Sequence, residues 1–342
     1  MPLNIINSLT IGKYAKKADA PVNWVALGEG SFIANSPDGN NWTAVPAGSR
    51  GGITGNNYQK MGVAYGTDGA GNERWVAVGA GSKIAYSSNG KVWTAADTVG
   101  GIALGGGVAY GKDGAGNIRW VAVGNGSTVA YSPNGSNWTA AASLDYFSEG
   151  KGVAYGKDGA GNGRWVAVGK GSTIAYSPDG NNWTTATGSY IGTGFGVAYG
   201  TDGAGNRRWV AVGYGFAYSS NGSNWTAAAS LGGITVGYGV AYGQDGAGNG
   251  RWVAVGTGSK IAYSSNGADW TAAATVGGIT SGDGVAYGTD GAGNRRWVVI
   301  GDGSVFATSP DGNNWTAVPA GSIGGITGGV IYATVAFKNN IV

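Results

Sequence analysis

Two kinds of charged side chain recur at fixed positions in this sequence and could take part in chemistry. An Asp opens the segment DGAGN six times, and an Arg that precedes a Trp follows six residues after each Asp. Asp, Asn and carbonyl oxygens suit calcium, but a calcium loop supplies several carboxylates and each of these segments supplies one. We therefore expect no metal. A tight turn with a structural Asp–Arg ion pair is the favoured interpretation, and a ring of anion-binding arginines is the alternative.

The residue types that the sequence lacks limit the catalysis it could perform. It contains no Cys and no His, so it has no thiolate and lacks the commonest general base. Its only glutamates are Glu29, Glu73 and Glu149, and the sequence shows no pair of carboxylates of the kind that a glycoside hydrolase needs. We expect a protein that is not an enzyme and that needs no cofactor.

A repeat of about 45 residues positions the charged side chains. All fourteen tryptophans fall at two positions of seven repeat units, and this period is typical of a four-stranded propeller blade. One unit contains the apolar segments Gly152–Gly156, Arg164–Gly169, Ser172–Ser177 and Trp183–Ala186, each bounded by turn residues. The pattern predicts an all-β protein, a seven-bladed β-propeller of four-stranded antiparallel blades.

The ends of the repeat predict how the ring closes. Asn23–Gly28 has no inner strand before it, and Gly329–Ala333 has no outer strands after it. We expect one blade to be built from N- and C-terminal strands, which leaves no exposed sheet edge. Residues 21–342 then form a single propeller domain. Residues 1–20 form an N-terminal arm that packs on the propeller or attaches to a protein partner.

The turns between the third and fourth predicted strands have a common sequence. They read Ser-Pro-Asp-Gly, Ser-Pro-Asn-Gly or Ser-Ser-Asn-Gly, and a Trp follows two residues later. This pattern resembles the Asp-box, or bacterial neuraminidase repeat, family, although one residue is missing between Asp and Gly and four of the seven copies carry Asn. The resemblance implies a propeller with a structural Asp box, and it implies no activity.

Charge and hydropathy limit the classes of partner and the locations that we expect for the protein. The net charge is +3 with Lys and Arg spread along the chain, so we expect no nucleic-acid binding. No segment is long and apolar enough to span a membrane. The N-terminal lysines follow the apolar residues, the reverse of a signal peptide, so a cytoplasmic or particle-borne location is expected.

Candidate binding residues are those that break the repeat. The Gly-x-Gly loops and the connections between blades vary, whereas the other turns are nearly constant. Variation of this kind indicates either function or neutral drift. If binding uses this variable face, the aromatic candidates are Tyr146, Phe147, Tyr214 and Tyr238, and Asp145, Glu149 and Lys170 supply polar contacts.

The sequence is compatible with three functions. The favoured one is non-catalytic, multivalent recognition of a glycan or cell-surface ligand by a lectin- or adhesin-like module. The alternative is a structural or interaction scaffold, such as a virion or phage tail component. A sialidase-type hydrolase is disfavoured: the resemblance would then imply three arginines on one carboxylate, but here arginine recurs once per blade at one structural position.

Overall fold

The computed structural model describes residues 20–30, 32–54, 61–81, 83–126, 129–142, 148–171, 174–188, 191–327 and 333–338. Within these ranges seven sheets are built from four antiparallel strands each, and one of them gains a fifth strand. The predicted seven-bladed β-propeller is therefore confirmed. The helical structure described consists of two single 3₁₀ turns, Ala47–Ser49 and Ala320–Ser322. None of the described helices could cross a membrane.

We number the blades 1 to 7 in the chain order of their third strands. The innermost strands, from blade 1 to blade 7, are Thr334–Phe337, Gly62–Thr67, Ile102–Lys112, Glu149–Lys157, Gly194–Thr201, Ile234–Gln244 and Ile279–Thr289. The second strands are Trp24–Leu27, Glu73–Val78, Ile118–Gly126, Gly163–Lys170, Arg207–Gly213, Gly250–Gly258 and Arg295–Gly303. The third strands are Ile33–Ser36, Ile84–Ser87, Val129–Ser132, Ile174–Ser177, Phe216–Ser219, Ile261–Ser264 and Phe306–Ser309. The outermost strands are Thr43–Ala44, Thr94–Ala95, Thr139–Ala140, Thr184–Thr185, Asn224–Ala227, Thr271–Ala272 and Thr316–Ala317.

Short strands also join the blades to one another. Thr187–Gly188 runs parallel to the outermost strand of blade 5 and is its fifth strand. Glu29–Gly30 pairs with Ile326–Thr327, and Ile53–Thr54 pairs with Ala80–Gly81. Each of these contacts ties the connection that leaves one blade to the blade that follows it.

The second strands form the core because both of their faces are covered. Trp165 and Val166 point to opposite sides of the blade 4 sheet, and both are fully buried. Trp165 packs with Val121 of blade 3, and Val166 packs with Trp209 of blade 5. Continuous apolar sequence in these strands is therefore explained by burial between two neighbouring blades.

The inner strands need glycine where neighbouring blades meet. The Tyr199 ring lies directly on Gly156 of the preceding blade, and a Cβ at Gly156 would be 2.2 Å from Tyr199 Cγ. Five more ring-on-glycine contacts of 2.1–2.3 Å follow the same rule: Tyr110 on Gly66, Tyr155 on Gly111, Tyr242 on Gly200, Tyr287 on Gly243 and Phe337 on Gly288. The GVAYG sequence is thus an interface between blades.

The ring closes through the C-terminal segment Thr334–Phe337, which pairs with Trp24–Leu27. The prediction that the two termini share a blade is confirmed, but its placement of the closing strand at Gly329–Ala333 is wrong. Residues 329–332 lie outside the described residues, and Ala333 belongs to no strand. The sequence GVIYA at Gly329–Ala333 is similar to the GVAYG sequence of the other inner strands. The segment that pairs is TVAF, in which Phe337 takes the place of the inner-strand Tyr.

At the interface between blades 1 and 2, lysine contacts take the place of the ring-on-glycine contact described for the other six interfaces. Lys338 occupies the position of the glycine that receives the next blade's Tyr, and its Nζ lies 5.3 Å from the centre of the Tyr65 ring. The same Nζ is 2.5 Å from Glu73 Oε1. Burial raises the pKa of Tyr65, and the hydrogen bond that its hydroxyl donates to the Glu73 carboxylate raises the pKa further. Strand pairing therefore joins the two termini within blade 1, and the Lys338–Glu73 ion pair joins the C-terminal segment to blade 2.

The predicted N-terminal arm, residues 1–20, falls almost wholly outside the described residues. Ala20 is described and exposed. Whether the arm packs on the propeller or attaches to a partner stays a prediction.

Candidate functional site

Antiparallel strand order gives the disc two different faces. We use "turn face" for the side that carries the DGAGN segments and the Ser-x-Asx-Gly turns. We use "connector face" for the side that carries the Gly-x-Gly loops and the connections between blades. The axial channel opens on both faces, because the seven inner strands surround it.

The Ser-x-Asx-Gly turns of the turn face are closed by their own side chains. Ser309 Oγ accepts hydrogen bonds from the backbone amides of Asp311 and Gly312, and Asp311 Oδ1 accepts from Asn313 and Asn314 at 2.8 and 2.9 Å. In the turns that carry Asn, the side-chain oxygen accepts the same two amides, as Asn89 does. Asp and Asn are thus interchangeable here because the turn needs an acceptor oxygen and does not need a charge.

The hydrogen bonds also set the acidity of these carboxyl groups. Burial raises the pKa of Asp311, but hydrogen bonds from Asn314, Asn313 and Ser309 outweigh it and lower the pKa to about 2. At Asp38 and Asp179 burial also raises the pKa, and hydrogen bonds again outweigh it, so that both pKa values are lowered.

The DGAGN segments are closed in a similar way. Asp158 Oδ1 accepts the backbone amides of Ala160 and Asn162 at 2.9 Å each, and Oδ2 accepts the Asn162 side-chain amide. Burial raises the pKa of Asp158, but these hydrogen bonds and the nearby Arg164 outweigh it and lower the pKa. Both carboxylate oxygens therefore already receive protein donors.

The predicted Asp–Arg ion pair is confirmed in all six copies, with nitrogen–oxygen distances between 3.2 and 3.7 Å. The Arg164 guanidinium also lies 4.7 Å from the centre of the Tyr176 ring. Its Nη1 donates to the Asn221 carbonyl of the next blade at 2.7 Å. An arginine with these three contacts fastens two blades together, which favours a structural role over anion binding at this position.

Glu149 and Lys170 lie together on the connector face. They are cross-strand neighbours at the end of the first hairpin of blade 4. The Glu149 carboxylate also forms an ion pair with Lys151, which is 5% exposed and lines the narrow end of the axial channel. The structure thus brings two predicted residues together and adds a buried cation that the prediction did not include.

Tyr214 and Tyr238 are brought together by a third aromatic side chain. The ring centre of Phe195 lies 6.0 Å from that of Tyr214 and 5.2 Å from that of Tyr238. Phe195 is buried, whereas Tyr214 is 62% exposed. The loop is short here: Gly215 leads directly into the third strand at Phe216, whereas Ser172 and Thr173 intervene in blade 4. We call Phe195, Tyr214 and Tyr238 the aromatic cluster.

The charged residues and the aromatic cluster are neighbours around the channel. A Cβ on Gly152, the residue after Lys151, would lie 3.0 Å from the Phe195 carbonyl oxygen. The entrance of blade 4 therefore borders the entrance of blade 5, and one continuous stretch of the connector face carries acidic, basic and aromatic groups. The other three predicted residues, Asp145, Tyr146 and Phe147, lie outside the described residues and stay predictions.

The sequence prediction did not include two features of the axial channel, its buried charged residues and its wide cavity. Lys151 and Asp283 are both buried and line the same narrow end of the channel on the connector face. The rings of the inner-strand tyrosines line a wider cavity of 540 Å³ at the turn face. Lys151 and Asp283 belong to the variable residues that precede GVAYG in each unit, but their burial beside the axis was recognisable only once the strands were arranged around it.

Comparison with known proteins supports the fold. The structure is similar to that of the BP39L lectin from Burkholderia pseudomallei, with a TM-score of 0.58, 17% identity, and coverage of 89% of this chain and 99% of the lectin. It is also similar to YCF48 from Cyanidioschyzon merolae, with a TM-score of 0.52, 14% identity, and coverage of 82% and 89% of the two chains.

A third similar structure is a GH74 enzyme from Niastella koreensis, with a TM-score of 0.52 and 19% identity over 79% of this chain. The present chain spans 39% of the length of that enzyme. No protein-family model and no curated protein sequence matches the chain, so the Asp-box resemblance stays a prediction from sequence. The likeness to these three structures shows the β-propeller fold alone.

Proposed function

We propose that this protein is a non-catalytic recognition module whose connector face binds a glycan on a cell surface or polymer. The observation that carries the proposal is the exposed Tyr214 ring, which a buried Phe195 holds in place. An exposed Tyr on a rigid support provides a large contact area at a low cost in conformational entropy. Sugars present an apolar ring face and a rim of hydroxyl groups, and this chemistry matches an aromatic ring beside charged side chains.

The polar part of the proposed site comes from blade 4. The Glu149 carboxylate can accept hydrogen bonds and the Lys170 ammonium can donate them, and both residues belong to blade 4, whose inner strand borders that of Phe195 in blade 5. The fold similarity to a lectin agrees with this proposal. Among the residues that the structure describes, the aromatic cluster occurs once, so we propose one such site per chain. The multivalent form of the prediction, with one pocket in every blade, has less support because the repeated Asp and Arg side chains bond to one another.

The proposal that the module binds without turnover rests on the state of its carboxyl groups. The repeated Asp residues accept hydrogen bonds from their own loops, and their pKa values are lowered. A general acid requires the opposite, a carboxyl group whose pKa is raised toward neutrality.

A glycan-array screen of the full chain tests the proposal, with Tyr214→Ala as the site variant and Val92→Ala as its control. Val92 is 57% exposed and lies on the turn face, so its truncation removes apolar surface away from the site. We expect Tyr214→Ala to reduce binding at least about tenfold with an unchanged melting temperature. Binding that survives Tyr214→Ala, or hydrolysis of the bound glycan by the wild type, rejects the proposal. A Tyr146→Ala and Phe147→Ala double variant tests the remaining aromatic predictions in the same screen.

A further inference from the structure

The axial channel contains a second candidate site, on the face opposite the proposed glycan site. Its wide end is the 540 Å³ cavity at the turn face, which we call the funnel. This volume lies within the usual range of about 300–1,000 Å³ for small-molecule pockets. The funnel narrows at a ring of inner-strand valines, including Val153 and Val197, which it shares with the 110 Å³ connector-face end.

The wall of the funnel is predominantly apolar. Each inner strand contributes a Val, an Ala and an aromatic ring to it. The phenol hydroxyls make hydrogen bonds at the edge of the preceding blade, as Tyr110 does with Thr67 Oγ1 at 2.7 Å and Tyr287 does with Gln244 Oε1 at 3.5 Å. The rings therefore form the wall, and their polar atoms are engaged with protein.

The rim of the funnel is cationic. Among the described residues at this end of the inner strands and first hairpins, the exposed or half-buried cations are Lys112, Lys157, Arg207, Arg295 and Lys338, of which Lys157 lines the funnel, and Glu73 is the carboxylate among them. Glu73 forms an ion pair with Lys338. The DGAGN carboxylates on this face are each paired with their own arginine. The potential at the mouth is therefore positive, and the apolar wall below it focuses that potential.

Arg207 and Arg295 occupy equivalent positions two blades apart. Each lies across the first hairpin from the end of its inner strand, opposite Thr201 and Thr289. In two blades the same position is a glycine, Gly163 or Gly250, where a Cβ would be 2.3 Å from a tyrosine hydroxyl. The residue at this position therefore sets the charge that each blade contributes near the mouth.

We propose that the funnel binds an amphipathic anion, a small molecule with an aromatic or aliphatic body and one carboxylate, sulfonate or phosphate group. The body lies against the tyrosine, alanine and valine side chains, and the anionic group lies at the cationic rim, to whose positive charge Arg207 and Arg295 contribute. This site is separate from the glycan site and does not depend on it.

The test uses a pair of fluorescent probes that share one body. These are 8-anilinonaphthalene-1-sulfonate and N-phenyl-1-naphthylamine, which lacks the sulfonate. With the full wild-type chain we expect enhanced fluorescence of the sulfonate probe at close to one site per chain. The Arg207→Gln and Arg295→Gln double variant should bind this probe about three- to tenfold more weakly. The neutral probe should not distinguish this variant from the wild type.

Lys170→Gln is the matched control, since it removes a cation from the connector face and leaves the funnel unchanged. It should bind both probes as the wild type does, and all variants should melt at the wild-type temperature. An equal loss in Lys170→Gln, an unchanged sulfonate affinity in the double variant, or no fluorescence enhancement overturns the proposal. Because none of the proposed glycan contacts, Tyr214, Glu149 and Lys170, is altered in the double variant, its glycan binding should be retained, and the two proposals can fail separately.

Discussion

The two faces of this propeller are built by different rules. On the turn face one set of hydrogen bonds recurs from blade to blade: Ser Oγ and Asp or Asn Oδ1 close the outer turn, and Asp and Arg close the inner one. On the connector face blades 4 and 5 depart from the rest, with Glu149, Lys151 and Lys170 in one blade and Phe195 and Tyr214 in the next. Repetition on one face holds the scaffold, and variation on the other leaves room for recognition.

Each face also contains residues that do not follow its rule. The turn face carries the variable residues of the funnel rim, such as Arg207 and Arg295, among its repeated turns. The connector face carries repeated backbone strain: Phe32, Lys83, Lys260 and Val305 occupy the same position in four Gly-x-Gly loops, and all have positive φ. Changes to the repeated turns or to the inner-strand contacts between blades should therefore affect stability, whereas changes to the variable residues, at the funnel rim or in blades 4 and 5 of the connector face, should affect binding.

Removing residues 334–342 should have the largest effect on stability. It deletes the inner strand of blade 1, including the buried Val335 and the Phe337 ring that covers Gly288. The loss should exceed that of a single Phe→Ala change, about 3–5 kcal/mol, and thermal unfolding measures it. Removal of residues 339–342 alone keeps every described contact and serves as the control. An unchanged melting temperature after the larger truncation would show that the ring does not depend on this closure.

Gly200→Ala should destabilise the interface between blades 5 and 6. The added Cβ would lie 2.2 Å from Tyr242 Cγ, so the ring must move. Overpacking of this kind costs about 1–3 kcal/mol. Gly114→Ala is the matched control, because its Cβ would have the Pro178 carbonyl oxygen at 3.8 Å as its nearest neighbour. Denaturant unfolding curves compare the two variants, and an equal free energy of unfolding would contradict the assigned role of GVAYG.

Asp311→Asn should reduce the acid sensitivity of the protein. The lowered pKa of Asp311, about 2, means that its carboxylate stabilises the fold above the unfolded pKa of about 3.9. That contribution is lost as the pH falls through the range from about 4 to 2. Asn keeps the acceptor oxygen, as it does at Asn89, but does not titrate. The difference in melting temperature between pH 5 and pH 3 should be smaller in the variant, and an equal or larger difference would contradict this explanation.

Lys260→Gly should have the smallest effect, a stabilisation below about 1 kcal/mol. Lys260 has φ of 68°, a left-handed conformation that glycine adopts without steric cost, although the flexibility of glycine in the unfolded chain offsets part of the gain. Lys260→Ala is the control, since it removes the same side chain and keeps the strain. If Lys260→Gly is less stable than Lys260→Ala, the loop does not store the strain that its backbone geometry implies.

Much of the fold was predictable because the period of the tryptophans and the alternation of apolar segments with turns both have a direct physical cause. The position of the closing strand could not be predicted, because Thr334 and Phe337 replace the Gly and Tyr that mark the other inner strands. The more similar sequence GVIYA also lies just before them. For the site, sequence variation identified Glu149, Lys170, Tyr214 and Tyr238. It did not identify Phe195 as the link between the two tyrosines, because that role depends on which side chains meet across blades.

The central claim is that recognition uses one asymmetric site on the connector face. Isothermal titration of the full chain with the tightest glycan from the array tests it most directly, because the repeated face offers the same groups in every blade, whereas the described part of the chain contains one aromatic cluster. We predict one glycan per chain, with binding abolished or strongly weakened by Tyr214→Ala and unaffected by Val92→Ala. A stoichiometry close to seven, or the same titration curve for Tyr214→Ala and the wild type, would contradict the account.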